Sequence, residues 1–481
     1  MADQTCQSYM LPCHASCLVE DRFSVCEEYV DQAEIPQWAL ITTLLDLQRP
    51  VDSISSLEDL LSCIQYDLQF TTLRSTLQGI CAKNPNFFDH VWPNMVAAAL
   101  SLPRLFPDDE LRALQQGIDA SISLSREQIA SLLVHMFLCS LQPPKWSRFW
   151  ANFGIWYNSD SLPVQAYLCC LFDYFSELDQ LGKPPHPLET VEFHRRVLQQ
   201  PPSWSTSTAQ FYDGILVTSV ILEPEPDCHV EVSFANRDVG FGVSGTQEEV
   251  KMAMSPEACV AMLITPTLLE NETLLIRGAR QVGSCQGIGR KVSYCGPLEP
   301  DRYRDYRDWK ERWIIAMDAM ELDILEENSD SQPATAKCVI QELKKSVLER
   351  DLNKAFCGFS GVEPHVQQCG DGSVGGATCI SIATGHWGCG AFGGHKQAKA
   401  IIQLMAAVEA GKALVYHDVD GEGDELTPFL QELEAFVSLL VETKATVAQL
   451  YSVMLKVGDK CFTDNEPNLL KICCTTLTDD Y

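Results

Sequence analysis

The apolar pattern of this chain changes at residues 201–208, where Pro201 and Pro202 run into a Ser/Thr-rich stretch. Before that point apolar residues recur at helical spacing, over 37–47, 57–68, 94–102 (stopped by Pro103) and 164–178. Ser125-Arg-Glu-Gln128 reads as a capping box opening a helix through Ile129, Leu132, Leu133, Met136 and Phe137. After it, short β-branched runs alternate with helical ones. Strands are expected over 214–222, 229–234, 274–276, 313–317, 378–383 and 413–416. Helices are expected over 255–263, 337–356, 396–410 (ended by Gly411), 429–440 and 447–457, with an acidic linker over 326–335. Such alternation builds an α/β sheet. A chain of 481 residues is too long for one ordinary core. The expected order is an N-terminal tail over 1–30, a helical domain over 31–205, an α/β domain over 206–460 and a C-terminal tail over 461–481.

A net charge of −30 argues against a general basic surface, so no direct DNA binding is expected. An anionic ligand must then be held by local backbone donors or a local arginine cluster. Arg277, Arg280, Arg290, Lys291, Arg302, Arg304, Arg307, Lys310 and Arg312 form one, but the interleaved Asp301, Asp305, Asp308 and Glu311 equally fit a solvated face. The 21 cysteines are scattered, and residues 1–10 lack the basic and apolar regions of a signal peptide. Reduced, mostly buried thiols are therefore expected. Cys13, His14 and Cys17 have no second ligand pair at zinc-finger spacing, so no metal is expected. No apolar run reaches the roughly 18 residues of a membrane span.

Two glycine loops carry the chemistry. The β-rich run Val230 to Ala235 empties into Gly240, Gly242 and Gly245, and Glu248 and Glu249 follow at a helix start. Glycines admit a ligand close to the backbone, and carboxylates just beyond can give or take its proton. The same two acids also suit an ordinary first helical turn. The second loop, Gly385 to Gly394, joins a strand to a helix and reads as an anion nest. Gly388, Gly390 and Gly393 have dinucleotide spacing, with Asp418 and Asp420 placed where a ribose-binding acid would sit. A nicotinamide-linked dehydrogenase and a plain structural turn both fit this second loop. Neither accounts for Gln247-Glu248-Glu249.

Together the motifs resemble the poly(ADP-ribose) glycohydrolase family. The residues that carry the resemblance are Phe234-Ala-Asn-Arg237, Gly240-Phe-Gly242 with Gln247-Glu248-Glu249, Cys357-Gly-Phe359, Ala383 to Gly394, and Ser125 to Leu133. The resemblance implies a macrodomain, a mixed α/β sheet flanked by helices, preceded by an all-α accessory domain. It implies hydrolysis of ribose–ribose O-glycosidic bonds to release ADP-ribose, with no metal and no cofactor. The implied partners are poly(ADP-ribose) or ADP-ribose and ADP-ribosylated proteins, with no membrane, in nucleus or cytoplasm and in the DNA damage response. By position Glu249 is implied as acid/base, and Glu248, Asn236 and Gln247 as neighbours of the scissile ribose beside Gly240 and Gly242. Gly388, Gly390, Ala391 and Phe392 are implied to cradle the diphosphate, and Leu222 and Glu223 to border adenine.

The chain also departs from the family pattern. Ser233 stands where the family has aspartate, Phe241 where it has the middle glycine, and His386 where asparagine is usual; the spacer Val243 to Thr246 is short. Ile288 and Val419 stand near positions of a site tyrosine and a stacking aromatic. Phe241 is expected to crowd the ligand and to resist a positive φ. These changes keep a second reading open, a catalytically weak or inactive ADP-ribose-binding protein.

Overall fold

The computed structural model describes residues 8–29, 31–46, 50–146, 151–180, 190–219, 230–298, 312–322, 341–363, 380–418, 426–458 and 467–479. Eight of its strands are β1 (Ala120–Ser125), β2 (Thr190–Val197), β3 (Leu216–Ser219), β4 (Val230–Phe234), β5 (Glu272–Arg277), β6 (Trp313–Met317), β7 (Ser381–Thr384) and β8 (Ala413–His417). They make one mixed sheet in the order β1-β2-β5-β6-β4-β7-β8-β3. The run β6-β4-β7-β8-β3 is parallel throughout, while β1, β2, β5 and β6 pair antiparallel.

Helices cover both faces. On one side lie α1 (Arg126–Phe137), α2 (Leu162–Ser176) and α3 (Gln247–Met254); on the other lie α4 (Lys345–Ser360), α5 (Lys396–Ala410), α6 (Pro428–Glu442), α7 (Val447–Gly458) and α8 (Leu469–Asp479). The sheet splits its apolar residues between these layers by strand alternation. Ile314 and Ala316 join the core shared with the helical region, whereas Ile315 and Met317 join the core under α4 and α5. The central strands β5, β6, β4, β7 and β8 are buried on both faces, whereas β1 and β2 alternate buried and more exposed positions.

Several elements match the sequence closely. The Ser125 capping box is present, β6 and α5 have the expected bounds, and Gly411 ends α5 at φ +64°. Other expectations fail for physical reasons. Strands β1 and β2 arise from the region read as helical. In β2 the buried side chains are Val191, Phe193, Arg195 and Val197, so an arginine occupies an interior position and hides the alternation. Arg195 is neutralised there by Glu272 of β5, also fully buried. The stretch expected as a helix over 255–263 is a 3₁₀ turn, Pro256–Val260, followed by the short helix Ala261–Ile264. The expected C-terminal tail contains α8, which buries Leu469, Leu470, Cys473 and Leu477. The N-terminal segment contributes a strand, Ser8–Met10, paired with Glu110–Arg112. The linker at 326–335 lies outside the described residues.

The arginine cluster is not simply a solvated face. Arg312 is buried, donating to Glu231, the Ser255 hydroxyl and the Ala279 carbonyl, and Arg280 is buried against Glu257. Both spend their charge on internal carboxylates; residues 302–310 lie outside the described residues. No helix among the described residues is long and apolar enough to cross a membrane.

Candidate active site

Strands β4 and β7 are parallel neighbours, with Ala383 opposite Glu231. Both glycine loops therefore leave the same edge of the sheet, at strand C-termini, where ligands of open α/β sheets bind. The Phe234 ring lies 3.6 Å from where a Gly385 Cβ would stand, so the loops start in contact.

In the first loop, Gln247, Glu248 and Glu249 point three ways from one helical turn. Thr246 caps α3 by accepting from the Glu249 N–H at 3.3 Å. In return Glu249 Oε2 accepts from the N–H groups of Ser244 (2.8 Å), Gly245 (2.7 Å) and Thr246 (3.1 Å). Its other oxygen rests against Gly242, where an added Cβ would lie 2.1 Å from Oε1. No described residue hydrogen-bonds Oε1, and the side chain is half-buried. Glu248 is turned inward and accepts from the N–H of Asn236 (2.8 Å) and of Gly240 (2.9 Å). Burial pushes its pKa up to about 8, against those two N–H bonds; the charges of Glu249 and Asp318 push the same way as burial. Gln247 spends its amide on β4, accepting from Phe234 N at 2.8 Å and donating to Val232 O at 2.9 Å. Each end of that amide thus has one bond to β4. Asn236 accepts from Asp238 N at 3.0 Å, which shapes the turn leaving β4.

The glycines of this loop make room for the protein's own groups. A Cβ on Gly240 would meet Met262 Sδ at 2.7 Å, and one on Gly245, at φ +80°, would meet the Gly289 carbonyl at 2.3 Å. The expectation for Phe241 is corrected. It is not among the residues with positive φ, and its ring is buried between Phe153 (4.8 Å) and Trp156 (4.9 Å), facing the helical region.

The second loop is supported from below and open above. Gly388, at φ +73°, admits Ala319 and Lys399, to which a Cβ would stand 2.4 and 3.1 Å away. Lys399 is fully buried and pairs with Asp351 and with Glu342 at 3.0 Å. Glu342 also accepts from His395 N at 3.0 Å, at the start of α5. Sequence reasoning passed over Lys399; its signal was one cation within the apolar run of α5. Around Gly390 there is nothing within 4 Å of an added Cβ. Gly390 and Ala391 are exposed, Phe392 half-buried, and their N–H groups donate to no described residue. Three such groups before a 15-residue helix suit a diphosphate. Asp418, the candidate ribose acid of a dehydrogenase, is instead bonded by His386 Nε2 at 2.7 Å and by the Thr427 hydroxyl.

Ile288 sits exposed at the tip of the hairpin Gly283–Gln286/Ser293–Pro297. Ser233 is fully buried, its hydroxyl without a hydrogen-bond partner among the described residues. Leu222, Glu223 and Val419 lie outside the described residues.

Residues 81–195 match the family model of the poly(ADP-ribose) glycohydrolase helical domain, and residues 201–423 that of its macro domain fold. Among curated proteins the chain is similar to probable poly(ADP-ribose) glycohydrolase 2 of Arabidopsis thaliana, 24% identical over 438 residues that cover 79% of each chain. It is 23% identical to poly(ADP-ribose) glycohydrolase 1 of that plant, covering 84% of this chain and 86% of the relative. It is 28% identical to poly(ADP-ribose) glycohydrolase 1 of Caenorhabditis elegans, covering 70% of this chain and 40% of that protein. A helical domain and a macro fold in this order, with both glycine loops on one sheet edge, place the chain in the poly(ADP-ribose) glycohydrolase family.

Proposed function

We propose that this chain is a glycosidase that hydrolyses the ribose–ribose O-glycosidic bonds of poly(ADP-ribose) and releases ADP-ribose, with Glu249 as its acid/base. The observation that carries the reading is the division of labour between the two oxygens of Glu249. Three backbone N–H groups fix Oε2, and Oε1 is bonded by no described residue, on the sheet edge where the exposed Gly390–Ala391 backbone also lies. A diphosphate held by Gly390, Ala391 and Phe392 sets the adjoining ribose over the first loop. Glu249 Oε1 then gives its proton to the departing 2′-oxygen and takes one back from the attacking water. Positive charge developing on the ribose is stabilised by the substrate's own diphosphate. Glu248 holds the backbone of Asn236 and Gly240 in place beneath that ribose, with Asn236 at its border. Gln247, Gly240 and Gly242 shape the loop, and Leu222 and Glu223 are assigned to the adenine end. Phe241 leaves the ligand side clear because its ring is spent on the helical region. Proteins carrying the polymer are the macromolecular partners, and its removal after DNA damage, in nucleus or cytoplasm, is the setting.

Release of ADP-ribose from labelled polymer tests this directly. Glu249→Gln lowers turnover by about 10³-fold, within the range of a lost general acid, while ADP-ribose still binds. Wild-type turnover in the Gln variant sinks the assignment.

A further inference from the structure

The loop that carries Glu249 is gripped from the helical region. Trp156, in the short helix Gly154–Tyr157, donates from its indole Nε1 to the Gly242 carbonyl at 2.7 Å. Gly242 is the residue against which Glu249 Oε1 rests. The Ser161 hydroxyl donates to the next carbonyl, that of Val243. The Trp156 ring packs on Phe241 at 4.9 Å and on Tyr167 of α2 at 5.5 Å. Tyr167 is fully buried, and its hydroxyl lacks a partner of ordinary hydrogen-bond geometry among the described residues. The Gly245 backbone faces that hydroxyl, and the Glu249 charge acts on it. A buried hydroxyl without a full bond is uncommon in a folded protein and calls for an explanation.

We propose that Trp156 and Tyr167 are positioning residues for the reaction, which make the helical region part of the machinery that aims Glu249. The indole fixes the peptide on which Oε1 rests. The phenol is held at the Gly245–Glu249 corner, ready to turn its O–H toward the carboxylate once the proton has left it. Phe241, standing where the family has a glycine, is the apolar half of the same clamp. It inserts the loop into the aromatic cluster that holds Trp156. This inference rests on the reading of Glu249 as acid/base.

Two conservative variants test it. Trp156→Phe keeps a ring and loses the N–H; Tyr167→Phe loses only the hydroxyl. Each is expected to lower kcat on polymer about tenfold, less than the roughly 100-fold that a 1 Å misplacement costs. Calorimetric Kd for ADP-ribose, which reads the second loop, is expected to stay within twofold. A merely structural role shifts the melting temperature and leaves kcat intact at temperatures where each variant is fully folded by circular dichroism. Glu249→Gln is run alongside. If kcat stays within twofold of wild type in both aromatic variants while Glu249→Gln is inactive, the clamp is overturned and the site stands. If Glu249→Gln itself turns over normally, the site reading falls and the clamp falls with it.

Discussion

The two glycine loops look alike in sequence and are opposites in structure. In the first, Gly240, Gly242 and Gly245 make room for Met262, the Glu249 carboxylate and the Gly289 carbonyl. Its N–H groups point inward, onto Glu248 and Glu249. In the second, Gly385 makes room for the His417 carbonyl and Gly388 and Gly394 for Lys399, while Gly390 faces open space. The N–H groups of Gly390, Ala391 and Phe392 donate to no described residue. The first loop is an anion nest already filled by the protein's own carboxylate, and the proposed function assigns the second to the substrate's diphosphate. On that proposal the first holds the chemistry in place, and the second holds the substrate.

This contrast breaks most sharply at Gly390. Gly390→Asp adds a charge where a diphosphate is assigned, and like-charge juxtaposition costs several kcal/mol, so ADP-ribose binding is expected to weaken on the order of 10³-fold. Stability should stay near wild type, because nothing surrounds the new side chain. Titration calorimetry and a thermal melt read both; unweakened binding removes the second loop from the site.

Gly242→Ala probes the other side. Its Cβ would stand 2.1 Å from Glu249 Oε1, so the carboxylate must move by roughly 1 Å, and kcat on polymer is expected to fall about 100-fold. ADP-ribose affinity should hold, which makes the two glycine variants mirror images. If Gly242→Ala weakens binding instead and spares kcat, the roles assigned to the loops are reversed.

What the sequence makes legible follows from what each residue answers to. Lys396–Ala410 and Trp313–Met317 are readable because they are buried and apolar along nearly all of their length. The strand Thr190–Val197 is not, because Arg195 occupies a core position by virtue of Glu272, which is distant in sequence. The site divides in the same way. Glu249 and the second loop are visible as local motifs, since cap, glycines and helix start are contiguous. Gln247 is visible but its use is not: only the paired strand shows that its amide replaces a ladder partner. Phe241 is misread from sequence because its meaning lies with Phe153 and Trp156, in a different layer of the molecule.

The smallest expected effect concerns Glu248, the inward carboxylate of the filled nest. In the unfolded chain its proton leaves near the ordinary value of 4.5; in the folded chain burial holds it to about 8. Between those values the folded state keeps a proton that the unfolded state has lost, so rising pH favours unfolding until the folded pKa is passed. From pH 7 to pH 9 this one group should remove about 1.4 kcal/mol of stability. Glu248→Gln cannot titrate. Its absolute stability drops because one of the two N–H groups of Asn236 and Gly240 loses its acceptor, but its stability should lack this pH-dependent loss. The comparison is therefore of slopes, from urea unfolding of both proteins at the two pH values. Equal slopes would mean that the two N–H bonds outweigh burial and that Glu248 is already ionised at pH 7. The ribose of the proposed site would then sit beside a buried anion at Glu248 rather than a neutral acid.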